Sequence, residues 1–327
     1  MQIIPDEPKI PLENYLDLIE EKDGKGPDIY PKNAELVREV WSEIVKTRKR
    51  SLYVRALIPQ KLGISCMGFC AYKNGKKASS IQMLHKLLAL WQELCNKSSY
   101  DMKKKWDTFF YSNLIFCAHS RHREIQLPRF LLPKSAYLIG WICGDGNFSV
   151  RNNYVLTISE KSRRQLVLNP LLNELFHVSA PIFEKSQNGH VLQISCKPVF
   201  KFLANVLNVE AGKIPLMIKN IDISVKRYFL AGLFDAEGYI AGSYRDSIVI
   251  TQADYHFLEN LIELFEDFDI YFSGPYVHQN RKGTWFTIQL RRKNEILKFA
   301  ARIGSYHVDK SPKLGKLVMQ IEKSWRD

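Results

Sequence analysis

Two apolar, small-residue stretches each close on a carboxylate and a glycine: Leu138-Ile-Gly-Trp-Ile-Cys-Gly-Asp-Gly146 and Leu230-Ala-Gly-Leu-Phe-Asp-Ala-Glu-Gly238. Aligned end to end, they set Gly140 against Gly232, Gly144 against Ala236, Asp145 against Glu237 and Gly146 against Gly238. One such stretch is what a helix capped by glycine looks like. A second copy asks for a chemical reason. Small residues one turn apart let two helices pack backbone to backbone, which brings their C-terminal ends together. Asp145 and Glu237 then become neighbours at helix ends whose carbonyls add negative potential. Like charges so placed call for a cation, and oxygen ligands suit Mg²⁺, with Mn²⁺ as a substitute. Held by Asp145 and Glu237, with Gly144 and Ala236 beside them, such an ion is suited to activating water and stabilising the leaving 3′ oxygen of a phosphodiester.

The elements that must position these acids recur in order. After Asp145 the pattern predicts strands over Asn147–Arg151 and Tyr154–Ser159, a helix through Leu171 and Phe176, strands over Ala180–Lys185 and His190–Ser195, and a helix from Pro198. After Glu237 it predicts strands over Tyr239–Gly242 and Ser247–Gln252, a helix through Phe257 and Phe265, strands over Ile270–His278 and Thr284–Arg291, and a helix from Asn294. Lys213-Ile-Pro215 is answered by Lys310-Ser-Pro312. The acids lie 92 positions apart and the lysines 97, so a duplicated αββαββα unit is the economical reading. Lys213 and Lys310 are candidates for steadying phosphate charge or orienting the attacking water.

Charge names the class of partner. Lys and Arg number 47 against 34 Asp and Glu, a formal net charge of +13 that favours a polyanion. Absence of an apolar run near the roughly 20 residues of a membrane span ranks nucleic acid above a bilayer. The opening Met1-Gln-Ile-Ile-Pro-Asp-Glu-Pro8 lacks a signal-peptide pattern, and six scattered cysteines read as reduced thiols. The expectation is a cytoplasmic or organellar protein, not a secreted one.

Four segments follow: a loosely ordered, proline-bearing arm over 1–30; a helical domain over 31–130; and the two repeats, 131–222 and 223–327. Within the helical domain, Val54–Leu62, a turn at Gly63, a cap at Ser65 and the helix behind it have the form of a repressor-type helix-turn-helix. A generic helical bundle is the alternative. Cys117-Ala-His-Ser-Arg-His122, with Cys66 and Cys70, matches no standard zinc spacing.

With these residues assembled, the chain resembles the single-chain LAGLIDADG homing endonucleases over residues 133–327. Leu230–Gly238 departs from that family's motif at Phe234 and Glu237, and Leu138–Gly146 is its weaker echo. The resemblance implies an α+β fold in which two four-stranded antiparallel sheets form a saddle on the DNA major groove. It also implies a monomer acting as a pseudo-dimer on a long asymmetric duplex site, with Asp145 and Glu237 binding metal and Lys213 and Lys310 as the central basic residues. On the strands, Arg151, Lys185 and Gln193 in the first repeat, and Arg245, Gln279, Arg281, Gln289 and Arg291 in the second, are the candidate DNA contacts. Two alternatives keep the fold without the nuclease: an inactive DNA-binding regulator and an intron RNA maturase. Self-splicing is not expected of a chain that opens on Met1 and closes on Ser324-Trp-Arg-Asp327.

Overall fold

The computed structural model describes residues 29–31, 35–47, 51–76, 81–109, 114–118, 123–128, 131–151, 154–160, 168–186, 189–241, 246–281 and 283–325. The chain divides between residues 129 and 130 into two compact units.

The first unit is mainly helical. Helices α1 (Glu35–Thr47), α2 (Ser51–Leu62), α3 (Cys66–Lys73), α4 (Ile81–Cys95) and α5 (Ser99–Phe109) enclose a core that includes Val37, Val40, Ile44, Ile58, Phe69, Leu84, Leu88 and Trp91. The turn between α2 and α3 holds Gly63 at φ 69°, a left-handed conformation that glycine adopts without strain. Ser65 then caps α3, its hydroxyl accepting the Gly68 N–H at 3.0 Å. A three-stranded antiparallel sheet completes the unit, in the order β1 (Ile29–Pro31), β2 (Leu114–Ala118), β3 (Arg123–Leu127). The expected arm over 1–30 therefore gives up its last residues to a strand, because Ile29–Pro31 pairs with Phe116–Ala118. That pairing spans most of the unit's sequence, and local periodicity carries no trace of it. The histidines of Cys117–His122 lie outside the described residues, and Cys66 and Cys70 are exposed and not disulfide-bonded.

The second unit states one α+β plan twice, as expected. Helix α6 (Pro133–Asp145) leads into β4 (Gly146–Ser149), β5 (Val155–Glu160), α7 (Leu168–Phe176), β6 (Ile182–Ser186), β7 (Gly189–Ser195) and α8 (Lys197–Lys201), which runs on into a π-helical turn, Phe202–Val206. After the short α9 (Leu216–Lys219), helix α10 (Ile223–Glu237) leads into β8 (Gly238–Ala241), β9 (Ser247–Gln252), α11 (Tyr255–Glu266), β10 (Ser273–Asn280), β11 (Gly283–Leu290) and α12 (Lys293–Arg302). A last helix, α13 (Lys310–Lys323), follows. The two four-stranded sheets share one topology, β4-β5-β7-β6 and β8-β9-β11-β10, with every pairing antiparallel.

Period-two alternation decides which face of each sheet is apolar. Leu156 and Ile158 on β5 face Ile194 and Leu192 on β7, and Ile248 and Ile250 on β9 face Leu290 and Ile288 on β11; all eight are buried. Helices α6 and α10 are both buried along most of their length, the charged Lys226 and Asp235 of α10 included.

Candidate functional site

The site is built on the contact between α6 and α10. A Cβ added to Gly140 would lie 2.1 Å from the Phe229 carbonyl oxygen, and one added to Gly232 would lie 2.0 Å from that of Tyr137. These are symmetry mates, since Phe229 stands to Tyr137 as Gly232 stands to Gly140. A Cβ on Gly144 would lie 2.6 Å from the Ala236 Cβ, 2.9 Å from the Glu237 Cγ and 3.5 Å from its Oε1. The residue preceding Asp145 therefore abuts the side chain of Glu237. The small residues bring the C-termini of the two helices together, as the aligned spacing predicted.

The glycines after the acids are not the left-handed caps in which glycine commonly ends a helix. Gly146 (φ −78°, ψ 152°) and Gly238 (φ −82°, ψ 156°) are extended, and each is the first residue of its strand. A side chain at Gly146 would strike the Ile142 carbonyl oxygen at 2.3 Å, and one at Gly238 the Phe234 ring at 2.0 Å. Glycine is needed because the chain doubles back on its own helix without a connecting loop, which ties each acid rigidly to a sheet.

Around Glu237 the structure gathers groups that spacing did not mark. Burial raises its carboxyl above the usual range, opposed by a hydrogen bond from Gln252 and by the charge of Lys310. The Gln252 Oε1 accepts the Ala253 N–H at 3.3 Å, which leaves its amide N–H groups for Glu237. Gln252 shares the parity of Ile248 and Ile250, and a polar residue at an inward position was the available signal. Lys310 Nζ donates to the carbonyls of Asp235 (2.6 Å), Phe234 (3.2 Å) and Ala236 (3.3 Å) at the α10 C-terminus, where the Phe234 oxygen also accepts the Gly238 N–H. A lysine there opposes the negative end of the helix dipole.

Asp235, fully buried, locks this arrangement. Its Oδ2 accepts the Tyr137 hydroxyl at 2.8 Å and the Tyr306 N–H at 2.9 Å, and its Oδ1 accepts the Ser305 hydroxyl. One carboxylate thus joins α6, α10 and the loop that delivers Lys310. Burial raises its carboxyl, and these hydrogen bonds oppose the shift. Trp141 is wholly buried and stacks on His307, with ring centroids 5.9 Å apart. The bulky residue in the weaker motif is accommodated on the loop side, clear of the glycine contact.

In the first repeat the same positions are filled differently. Cys143, the counterpart of Asp235, is a buried thiol whose pKa is pushed up by burial, and Phe229 is the counterpart of Tyr137. The Cys143 carbonyl accepts the Gly212 N–H at 2.7 Å. Lys213 is exposed, its Nζ 2.8 Å from Glu210 Oε2.

The residues proposed for DNA contact divide by face. Asn147, Thr157 and Gln193 form one cross-strand row on the face away from the core. Gln289 lies on the corresponding outer face of the second sheet, beside Val249. Gln279 pairs with Thr284 and so has the parity of Phe286 and Ile288, opposite Gln289. Thr287 does face outward but is covered: the His278 Nε2 is 2.8 Å from its Oγ1, and His278 stacks on Trp285. Arg151, Arg281 and Arg291 are exposed at strand ends. Arg245 and the side chain of Lys185 lie outside the described residues.

The donor set suits a hard divalent ion. Among the described residues no group of three or more His, Cys, Asp and Glu side chains could hold a metal. Asp145 and Glu237, at the ends of the two packed helices, are the carboxylates that could contribute to one, with water or phosphate oxygens completing the shell. That is the ordinary way Mg²⁺ is bound. The Ala236 carbonyl already accepts from Lys310 and has one lone pair left for such an ion.

Residues 224–304 match the family model of the LAGLIDADG-like domain. The second repeat is thus similar to a LAGLIDADG-like domain. Among curated proteins, the chain is 21% identical over 306 residues to the glutamine–fructose-6-phosphate aminotransferase of Methanocaldococcus jannaschii, a match covering 90% of this chain and 26% of that protein. The chain thus spans about a quarter of that relative's length. It is 24% identical over 214 residues to an uncharacterized protein of the same organism, covering 58% of this chain and 73% of that one. Among solved structures, it aligns with I-DmoI in complex with DNA and Ca at 20% identity, with a TM-score of 0.43, over 57% of this chain and 98% of that one. Full-length DUF199/WhiA from Thermatoga maritima aligns at 19% identity and a TM-score of 0.42, over 59% of this chain and 60% of that one.

Proposed function

We propose that the LAGLIDADG-like unit is a site-specific double-stranded DNA endonuclease that hydrolyses phosphodiesters with Mg²⁺, or Mn²⁺ in its place. The observation that carries this reading is the abutment of Gly144 on Glu237 at paired helix ends, each continuous with a sheet. A purely structural helix pair has no use for a carboxylate at that point, because burial penalises its charged form. A divalent ion offsets that penalty, and when bound it supplies Lewis-acid activation of water. Gln252 orients the Glu237 carboxylate and Lys310 fixes a positive charge beside it. The net charge of +13 suits a DNA substrate, and the polar row Asn147–Thr157–Gln193 has side chains of the kind that read base edges. In this reading one chain acts as a pseudo-dimer on a long asymmetric site, and α2–α3 of the first unit form a helix-turn-helix that adds DNA contacts.

A second reading, a DNA-binding regulator without cleavage, draws on the exposed Lys213–Glu210 pair, which differs from the docked position of Lys310. Selection of cleaved sites from a randomised duplex library in Mg²⁺ separates the two. Recovery of a defined cut site supports the nuclease, whereas specific retention of duplexes with neither strand broken, in Mg²⁺ or Mn²⁺, supports the regulator.

A further inference from the structure

Two thiols of the helical unit share one recess. Cys66, Cys70 and Lys73 stand at positions i, i+4 and i+7 of α3, and all three line a pocket of about 430 Å³ whose other walls include Trp41, Pro59 and the buried Phe69. Both cysteines are exposed and not disulfide-bonded. Lys73 Nζ lies over the Trp41 ring, 5.3 Å from its centroid, and the Trp41 and Phe69 ring centroids are 4.9 Å apart. The thiol pair has no part in the carboxylate site.

Spacing and charge define what the pair can bind. Residues one helical turn apart have Cβ atoms about 5–6 Å apart, a gap that two metal–sulfur bonds of about 2.3 Å can close. Thiolates select soft ions, Cu(I) and Zn²⁺ among them. Zn²⁺ asks for four ligands. Among the described residues no third His, Cys, Asp or Glu side chain joins the pair, and the aromatic walls add no donor atom for a metal, since an indole N–H has no lone pair to give. Cu(I) is satisfied by two thiolates in a line. The complex so formed carries one negative charge, and the Lys73 ammonium on the same stripe opposes it.

We propose that Cys66 and Cys70 bind one Cu(I) ion as a linear bis-thiolate, with Lys73 balancing its charge. Two S–H bonds break, two Cu–S bonds form and two protons are released. Copper stays Cu(I), so no oxidant or reductant takes part. Any hydrogen bond that a thiol makes in the metal-free chain is exchanged for the metal bond, and the site does not require an unpartnered thiol. Its chemistry owes nothing to the carboxylates of the second unit.

The test loads the full chain, reduced and kept from oxygen, with Cu(I) supplied as its acetonitrile complex, and measures affinity by competition with a chromogenic Cu(I) chelator. Because the chain has six cysteines, variants make the assignment. One ion per chain is expected in the tightest class, with two sulfur neighbours by X-ray absorption and a partial quench of tryptophan fluorescence that Trp41→Phe removes. Cys66→Ser and Cys70→Ser are each expected to weaken that class at least about a hundredfold, more than the loss of an outer partner costs. Lys73→Gln is expected to weaken it about three- to fivefold, and Cys95→Ser to leave it unchanged. Thermal midpoints are measured alongside, and two-sulfur coordination together with the Trp41-dependent quench decides the matter if a serine variant unfolds. An affinity unchanged in either serine variant, or a third ligand on copper, overturns the proposal. So does Zn²⁺ held at these two cysteines through desalting.

Discussion

The two repeats share a backbone plan and differ in what fills its central positions. Around the end of α10, Asp235, Ser305 and Lys310 of the second repeat and Tyr137 of the first form a polar network centred on the buried Asp235. Around the end of α6, the matching positions hold Cys143 of the first repeat and Phe229 of the second, both buried and apolar in behaviour, and Lys213 faces solvent. Duplication preserved what packing demands: the glycines, the direct helix-to-strand passage and the strand order. Polar detail was free to diverge, because a buried thiol fills the interior as well as a hydrogen-bonded carboxylate does. A pseudo-symmetric scaffold can in this way carry an asymmetric site.

The comparison breaks most severely at the acids, where the repeats are alike. Asp145→Asn and Glu237→Gln are each expected to lower DNA cleavage at least about 10³-fold while leaving duplex affinity near wild type, as measured by single-turnover cleavage and a gel-shift titration. Wild-type cutting by either variant would falsify the site. Next come the shared glycines. Gly140→Ala and Gly232→Ala each push a methyl into a carbonyl oxygen, and each is expected to cost about 3 kcal/mol in denaturant unfolding. Gly315→Ala, on α13 with open space around it, is the control and is expected to stabilise by roughly 0.5–1 kcal/mol.

Tyr137→Phe tests the network around Asp235, which has no polar counterpart around Cys143. It removes one donor from the buried Asp235 and makes that position match Phe229. A loss of about 1–3 kcal/mol is expected, and an unchanged unfolding midpoint would show that the hydroxyl does not support Asp235. The smallest effect concerns pH. The Glu237 carboxyl is raised in the folded protein, so without metal the folded state holds a proton that the unfolded chain has released between the ordinary carboxylate range and the raised value. Stability contributed by that proton falls as pH rises through this window. Metal-free Glu237→Gln is therefore expected to melt higher than wild type near neutral pH, with the gain vanishing below the ordinary carboxylate range. A gain of equal size at both pH values would place its cause outside this ionisation.

Much of this architecture was legible because it is locally encoded. The helix pair, the recurring strands and the turn at Gly63 follow from apolar period, small residues and punctuation along the chain. Gln252, Tyr137 and Ser305 were not singled out: each becomes part of the site only through partners far away in sequence, such as Asp235 for Tyr137. Gln279 and Gln289 look alike in the chain, but they fall on opposite faces of the sheet because register, not composition, assigns a strand's faces. The short strand at Ile29–Pro31 depends wholly on a distant partner.

The sequence by itself determined the duplication, the basic character and the placing of one acid at the end of each motif helix, since these reside in residue type and spacing. Only the tertiary structure decided that Lys310 docks beside Glu237 while Lys213 turns outward to Glu210. The physical reason is that a long, flexible lysine takes its place from the carbonyls and carboxylates that folding brings within reach, and equal spacing along the chain does not make those surroundings equal.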